Sequence, residues 1–298
     1  MHVYHDPVCA GYAAPGHPEA PFRVLDTAAL LRERHPGWLL EPAEAAPPAG
    51  DATILRAHSP AFLHQLVETP PGGMFDPDTA VLPGMADHAR RGAGAAVRVA
   101  ELALRGDKAF SLMRPPGHHA TRESIMGFCY LNSVAIAALH AQAALGSRRV
   151  AVWDFDAHHG NGTEDILRGK EGMFYASVHQ YPGYPGTGTE SFDNVRNDPV
   201  APGTAAEKHL AALEQNWAAV LAFRPDLILI SAGFDAYAGD PLTDLRLRPK
   251  EFAALGEWCH RAPCPVAAIL EGGYSRELPL LVNTFLEAWE GEASSQLQ

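Results

Sequence analysis

The residues best suited to chemistry lie in the stretch VAVWDFDAHHGNG, at positions 150–162. Positions 150–153 form an apolar run with a β-branched bias, which is typical of a strand covered on both faces. Asp154, Asp156 and His158 follow directly. Carboxylates and imidazoles at the end of a buried strand cost free energy unless something binds them. These side chains therefore indicate a bound ligand or a reaction.

A metal ion is one ligand that suits these groups. Asp156 and His158 are two residues apart, so an extended or tightly turned backbone can aim both at one point. Asp235 follows another predicted strand and offers a third ligand atom. Two oxygens and one imidazole nitrogen leave a fourth position for water, as in catalytic zinc sites. Each Asp alone would more often cap a helix or accept glycine N–H groups, but the trio favours a metal.

A histidine pair and a tyrosine add groups that can move protons. His118 and His119 are adjacent, and imidazole titrates nearest neutral pH. Asp154 and Asn161 are available to orient their rings. Tyr274 follows two glycines, so its hydroxyl could donate to a developing oxyanion or simply point into water.

The elements that must position these groups alternate between strand and helix along the chain. This alternation predicts parallel pairing in a doubly wound α/β sheet flanked by helices, within one domain that covers residues 1–298. The segment EPAEAAPPAGD at 41–51 is predicted to be a surface loop. The predicted strands are 108–113, 149–155, 173–178, 226–231 and 265–270. The predicted helices are 86–104, 130–145, 205–223 and 250–261.

Each predicted strand is followed by a polar or glycine-rich motif. In open parallel sheets, ligands bind beyond the carboxyl ends of the strands. We therefore expect the motifs to meet at one edge of the sheet and form an active site. The motifs are RPPGHH (114–119), DFDAHHGNG (154–162), VHQYPGYPGTG (178–188), SAGFDAYAGD (231–240) and EGGY (271–274).

Composition excludes several other classes of protein. Hydrophobic residues at 47% and charged residues at 19% describe an ordinary globular protein. A net charge of -12 argues against a nucleic-acid partner, which usually requires a basic face. We find no signal peptide and no apolar window long enough for a membrane span. The four cysteines form no CxxC pair, which favours a reducing cytoplasm over a disulfide framework.

Several ordered motifs together resemble the histone deacetylase superfamily, most closely the bacterial class II-like amidohydrolases and acetylpolyamine amidohydrolase relatives. The motifs are GHPEAPFR, HSPAFL, RPPGHHA, GFCYLNSVAIAA, DFDAHHGNGTEDI, SVHQYPGYPGTG, SAGFDAYAGDPL and LEGGY. The resemblance covers nearly the whole chain. It implies a zinc-dependent amidohydrolase that removes an acetyl or other short acyl group from a lysine-like amine by metal-activated water.

The resemblance also implies a role for each site residue. Zinc would be held by Asp156, His158 and Asp235, and Tyr274 would donate to the oxyanion. His119 would act as general base and then acid, with His118 as its electrostatic partner. Asp154 would pair with His118, and Asn161 stands where some relatives carry Asp. The substrate tunnel would include Gly127, Phe128, Tyr184 and Leu242, and a potassium ion would lie near Asp154, Asp156, His158, Ser177 and Val178.

The identity of the substrate stays open. The loop at 189–200 is shorter than is usual in the family, which alters the expected rim of the site. Leu242 stands where relatives specialised for polyamines tend to carry an acidic residue. An acyl-lysine-type amide is therefore favoured, with an acetylpolyamine or a small metabolite amide as the alternative. The oligomeric state is equally open, a homo-oligomer included.

Other chemistries fit less well. A two-metal arginase-like site would need a carboxylate two residues beyond His158, where Gly160 stands. A catalytically inert acyl-binding module predicts a missing ligand or proton handler, and none is missing. Cys129 opens an apolar helix, where a thiol is usually inert. The GAGAAV segment at 92–97 lies inside a helical pattern, so it does not indicate a phosphate loop.

Overall fold

The computed structural model describes residues 1–42 and 45–292. Its centre is a sheet of eight strands in the order β2-β1-β5-β10-β9-β6-β7-β8, and each neighbouring pair is parallel. The central strands are buried along their whole length, as expected for a parallel sheet covered on both faces. The strands of this sheet are β1 (His2–His5), β2 (Leu39–Pro42), β5 (Ala109–Leu112), β6 (Val150–Asp154), β7 (Met173–Gln180), β8 (Val195–Val200), β9 (Leu227–Ala232) and β10 (Val266–Leu270). A separate hairpin contains β3 (Met74–Asp76) and β4 (Thr79–Ala80).

Helices connect the strands and cover the sheet. Helix α5 is apolar on all sides, and it packs against α4 on one side and the strands β6 and β9 on the other. A helix that is apolar all round is expected to be buried in this way. The helices are α1 (Phe22–Arg34), α2 (Asp51–Ile54), α3 (Pro60–Glu68), α4 (Met85–Leu104), α5 (Ser133–Ala144), α6 (Asn161–Leu167), α7 (Ala206–Ala222), α8 (Pro249–His260) and α9 (Leu278–Glu290).

The predicted doubly wound α/β sheet is confirmed, and so are the five strands and four helices read from the sequence. The sequence patterns did not reveal the strands β1, β2 and β8, which lie at or near the edges of the sheet. Edge strands are partly solvated and need no continuous apolar run. The edge strand β8 illustrates this, because it carries Arg196, Asp198 and Pro199.

The five strands that precede the polar motifs are neighbours in the sheet, in the order β5-β10-β9-β6-β7. Asp154 pairs in register with Ser231 on β9 and with Ser177 on β7. Ile269 on β10 continues the same row beside Ser231. The carboxyl ends of these strands therefore lie together, as the sequence predicted.

The prediction of a surface loop at 41–51 is partly wrong. Positions 41–42 belong to β2, and α2 begins at Asp51. Positions 43 and 44 lie outside the described residues, but Ala46 and Ala49 are buried, and the N–H of Ala49 donates to the carbonyl of Arg90 on helix α4 at 2.9 Å. The GAGAAV segment explains that contact: a Cβ atom on Gly94 would collide with the carbonyl oxygen of Pro47. The small residues of GAGAAV allow Pro47 to pack closely against helix α4.

In the described residues, no helix combines the length and apolarity needed to span a membrane.

Candidate active site

The structure brings Asp156, His158 and Asp235 together beyond the ends of β6 and β9. Their ligand atoms all lie within 4.8 Å of one another. The Nδ1 atom of His158 is 2.9 Å from Asp235 Oδ2 and 3.2 Å from Asp156 Oδ1. Both carboxylates are fully buried, and the imidazole is partly exposed. The three side chains therefore form a compact cluster with one open side.

Backbone N–H groups hold both carboxylates of this cluster in place. Ala157 N donates to Asp235 Oδ1 at 2.8 Å, and Gly272 N donates to Asp156 Oδ2 at 2.7 Å. A Cβ atom on Gly272 would collide with both carboxylates, so only glycine allows the backbone to approach this closely. The cluster is consequently fixed by three different strand ends, which follow β6, β9 and β10.

The donor set of this cluster fits a divalent cation. Burial and then the negative charge of Asp156 raise the pKa of Asp235 to about 7. Burial disfavours the protonated form of His158, but the carboxylates raise its pKa well above the usual value. Two converging carboxylates in a buried site therefore require a positive charge between them. One nitrogen and two oxygen ligands are a set that zinc accepts.

His118 and His119 lie next to this cluster, and each ring has the partner expected from the sequence. His118 Nδ1 is 3.1 Å from Asp154 Oδ2, and both side chains are buried. His119 Nδ1 is 2.8 Å from Asn161 Oδ1. Because the amide oxygen only accepts, His119 carries its proton on Nδ1 and leaves Nε2 free as a base. The two ring centroids are 4.1 Å apart.

Their surroundings drive the two histidines toward opposite protonation states. Burial disfavours the charged form of His118, but the charges of Asp156 and Asp154 raise its pKa to about 10. Burial, followed by the positive charges of His118 and His158, holds the pKa of His119 well below its usual value. Neighbouring groups whose pKa values are driven apart are typical of acid–base sites.

Tyr274 lines the same cavity as His119, on the loop that follows β10. Its backbone N–H donates to Asp240 Oδ2 at 2.7 Å. Arg23 stacks over its ring, with the guanidinium carbon 4.8 Å from the ring centroid, and donates to the carbonyl of Gly273 at 2.7 Å. Burial raises the pKa of the Tyr274 hydroxyl well above its usual value. The tyrosine therefore stays protonated and can donate a hydrogen bond.

A cavity of about 240 Å³ opens onto these groups. All four residues predicted to form the substrate tunnel line it, together with His119, His158 and Tyr274. The rings of His119 and Tyr184 are 5.0 Å apart and almost perpendicular, and those of Phe128 and Tyr274 are 5.9 Å apart. The lining residues are Asp78, His119, Gly127, Phe128, His158, Tyr184, Leu242 and Tyr274.

Of the residues predicted to hold potassium, Asp156 and His158 belong to the cluster itself, whereas Asp154 ends β6 and Ser177 and Val178 lie on β7. Ser177 pairs in register with Asp154, and Val178 is the next residue of β7. The carbonyl of Ser177 accepts a hydrogen bond from Asn216 Nδ2 at 3.2 Å, and its hydroxyl lies 2.9 Å from His179 Nδ1. The structure thus places these residues side by side, and their role stays a prediction.

Sequence reasoning missed three residues of the site. Glu271 accepts the backbone N–H groups of Gly117 and His118 at 2.6 and 3.1 Å, so it holds the histidine segment. Arg23 supports the Tyr274 loop, and Asp78 lines the cavity. Glu271 and Arg23 lie inside the motifs LEGGY and GHPEAPFR, so the motifs could have indicated that these two residues belong to the site. Asp78 lies in the turn between β3 and β4, and the motifs did not include it.

Comparison with known proteins agrees with this geometry. A family described as "Histone deacetylase domain" matches residues 17–288. The protein slr0245 of Synechocystis sp. is 40% identical over 287 residues, which cover 92% of each chain. A "Probable deacetylase" of Methanothermobacter thermautotrophicus is 38% identical over 98% of this chain and 91% of its own. The "Histone deacetylase-like amidohydrolase" of Pseudomonas aeruginosa is 35% identical over 88% of this chain and 74% of its own.

Solved structures share the fold. The HD domain of HDA15 superposes with a TM-score of 0.91 and 31% identity, covering 100% of this chain and 93% of that chain. An acetylpolyamine aminohydrolase from Burkholderia pseudomallei superposes with a TM-score of 0.87 and 24% identity, covering 98% of this chain and 99% of that chain. With the matched domain spanning most of its length, the chain belongs to the histone deacetylase family, a family of deacetylases and amidohydrolases.

Proposed function

We propose that this protein is a zinc-dependent amidohydrolase that removes an acetyl or other short acyl group from a lysine-like amine. The observation that carries the proposal is the convergence of Asp156, His158 and Asp235 beside His119, whose ring lies 6.0 Å from that of His158, and beside Tyr274 in the same cavity. This arrangement would supply a metal site, a base and an oxyanion donor, and His158, His119 and Tyr274 all line one cavity. These are the parts that metal-assisted amide hydrolysis requires.

The metal and the protein side chains would divide the work. A zinc ion held by Asp156, His158 and Asp235 would polarise the amide carbonyl and lower the pKa of a water molecule toward about 7. His119 Nε2 would accept the proton of the attacking water and return it to the departing amine. Asn161 keeps that nitrogen free, because its Oδ1 atom accepts a hydrogen bond from the N–H at Nδ1 of the same ring.

Two further groups would stabilise charge during the reaction. The Tyr274 hydroxyl would donate to the oxyanion as it develops. His118, kept protonated by Asp154, would provide a fixed positive charge beside His119. That charge opposes early protonation of His119, so it would keep this ring in the basic form until the water attacks the carbonyl carbon and gives up its proton.

We also propose a potassium ion near Asp154, Asp156, His158, Ser177 and Val178. Asp154 is buried next to Asp156 in this region, and its Oδ2 atom accepts from the hydroxyl of Tyr175 at 3.1 Å. A monovalent cation there would offset part of the negative charge behind the catalytic cluster. Thermal unfolding in potassium, compared with a larger cation at equal ionic strength, would test this binding.

Two residues of the cavity, Leu242 and Asp78, bear on the choice of substrate. Leu242 presents an apolar side chain at the rim that can pack on the methylene groups of a lysine-like chain. Asp78 also lines the cavity, and its carboxylate favours a second candidate, an acetylated polyamine with an additional ammonium group. One of the similar structures is named as an acetylpolyamine aminohydrolase.

The decisive experiment is an activity screen of the purified protein loaded in turn with Zn²⁺, Fe²⁺ or no metal. Acetyl and longer acyl groups should be tested on lysine peptides, free lysine and polyamines. The His119→Ala variant is the control, since it keeps all three ligands and removes the base. We expect zinc-dependent release of the acyl group from lysine-type amides. Binding of acylated amines without hydrolysis, in wild type and variant alike, would instead favour an inert binding module.

A further inference from the structure

The wall of the cavity contains two consecutive residues with left-handed backbone. Gly127 has φ of 59° and Phe128 has φ of 67°. Glycine adopts this conformation freely, but phenylalanine does so at a cost. A residue held in such a conformation requires support from surrounding structure. The position of the Phe128 ring in the cavity therefore depends on what holds its backbone.

The support comes from the separate hairpin formed by β3 and β4. Asp76 Oδ2 accepts the N–H of Gly127 at 2.9 Å, and Thr79 Oγ1 accepts the N–H of Phe128 at 2.9 Å. Thr79 is only 1% exposed, so the hydroxyl serves this contact away from bulk water. Both peptide groups of the left-handed turn are thus held by side chains that lie about 50 residues earlier in the chain.

The hairpin is itself a well-anchored element. Asp76 uses its second oxygen, Oδ1, to accept the N–H of Asp78 at 2.9 Å, which closes the turn. The hydroxyl of Tyr130 donates to the carbonyl of Ala80. The ring of His17 packs edge-on against Phe128, with centroids 4.5 Å apart. Because the hairpin is held in place, its hydrogen bonds to Gly127 and Phe128 can fix the position of the cavity wall.

The held turn lies against the reacting groups. A Cβ atom on Gly127 would be 2.7 Å from Cδ2 of His119 and 2.9 Å from the hydroxyl of Tyr184. The ring of Phe128 faces Tyr274 at 5.9 Å. A shift of the turn by a fraction of an ångström would therefore change the width of the cavity beside His119.

We infer that Asp76 and Thr79 are positioning residues for substrate binding: they hold the Gly127–Phe128 wall against the acyl chain. The inference rests on the proposed amide hydrolysis at this site. The wall contacts the substrate both before and during the reaction, so its loss should weaken both states alike. The expected signature is a higher KM with a smaller change in kcat.

The test compares variants at Thr79. Thr79→Val is nearly isosteric and removes the acceptor, whereas Thr79→Ser keeps it. Thr69→Val is the matched control, because the Thr69 hydroxyl only donates to Gln65 within an exposed helix end. For Thr79→Val we expect a rise in KM of about three- to tenfold on an acyl-lysine amide. Thr79→Ser and Thr69→Val should stay within about twofold of wild type.

Amide hydrogen exchange provides a readout that needs no activity. Exchange at Gly127 and Phe128 should accelerate in Thr79→Val and in Asp76→Asn, which has one acceptor oxygen where Asp76 uses two. Faster exchange with unchanged KM would overturn the role in substrate binding. Unchanged exchange would overturn the support itself, even if the wild type hydrolyses no amide. A wild type without activity but with this exchange pattern would contradict the proposed function and leave the hairpin contact supported.

Discussion

The floor and the rim of the cavity are built differently. We call the cluster of Asp156, His158 and Asp235 the floor: His158 lines the cavity, the two carboxylates are buried, and all three follow the ends of central strands. The rim includes Tyr184 and Leu242, whose side chains are 38% and 40% exposed. The floor is therefore fixed before any ligand arrives, whereas the rim can change without disturbing the sheet.

The anchoring contacts show the same contrast. In the floor, the carboxylates of Asp156 and Asp235 each accept at least one backbone N–H in addition to contacting His158. At the rim, the backbone N–H of Leu242 donates a hydrogen bond to Asp240 Oδ1 at 3.0 Å, and Leu242 lines the cavity. Substitutions in the floor should consequently stop the reaction, and those at the rim should change which substrate is preferred.

The largest effect is expected for Asp235→Ala. Loss of one of three ligands should abolish stoichiometric zinc and lower turnover by about 10³-fold or more, because the metal contributes several kcal/mol of transition-state stabilisation. Metal analysis after dialysis and kcat/KM measure the two consequences. Asp244→Ala removes an exposed carboxylate from the following loop and should retain both metal and activity. Full activity of Asp235→Ala without detectable metal would rule out the metal site.

Tyr274→Phe should have the next largest effect. The change keeps the ring and its contact with Arg23 but removes the oxyanion donor, so kcat should fall by about 10²–10³-fold with a smaller change in KM. Zinc content should be unchanged. Tyr181→Phe, at an exposed tyrosine beyond β7, is the matched control and should retain kcat. If Tyr274→Phe stays within a few-fold of wild type while chemistry limits the rate, the hydroxyl has no catalytic role.

Asn161→Ala tests a support of His119, next to the floor, rather than a reacting group. Without its partner on Nδ1, His119 can rotate or place its proton on the nitrogen needed as base, and kcat should fall about tenfold. Asn161→Asp keeps an oxygen acceptor and should retain more activity than Asn161→Ala. Equal activity in both variants and the wild type would show that His119 is oriented by its packing alone.

Leu242→Glu tests the rim and should have the smallest effect. A carboxylate there would offer a partner to the second ammonium of an acetylated polyamine, but exposed ion pairs contribute only about 0.2–1 kcal/mol. Preference for the polyamine over an acetyl-lysine peptide should rise by up to roughly fivefold in kcat/KM and decline with added salt. Leu242→Gln is the neutral control. A wild type that already prefers the polyamine would shift the explanation to Asp78, which lines the same cavity.

The central strands and the motifs that follow them could be predicted from the amino-acid pattern alone. Buried parallel strands need continuous apolar segments, so the central strands and the polar motifs after them were visible without coordinates. Their meeting at one edge of the sheet follows from parallel pairing, and register confirms it at Asp154, Ser177 and Ser231. The metal trio and the histidine pair could therefore be predicted as one cluster, and their catalytic roles stay predictions.

The residues that support this cluster from distant parts of the chain became visible only in the folded protein. Glu271 holds the histidine segment, Arg23 supports the loop of Tyr274, and the hairpin residues Asp76 and Thr79 hold the cavity wall. A single carboxylate or hydroxyl in a turn has many potential partners along a chain. Its actual partner depends on which peptide groups the folded backbone brings within hydrogen-bond distance, and no local sequence pattern records that distance.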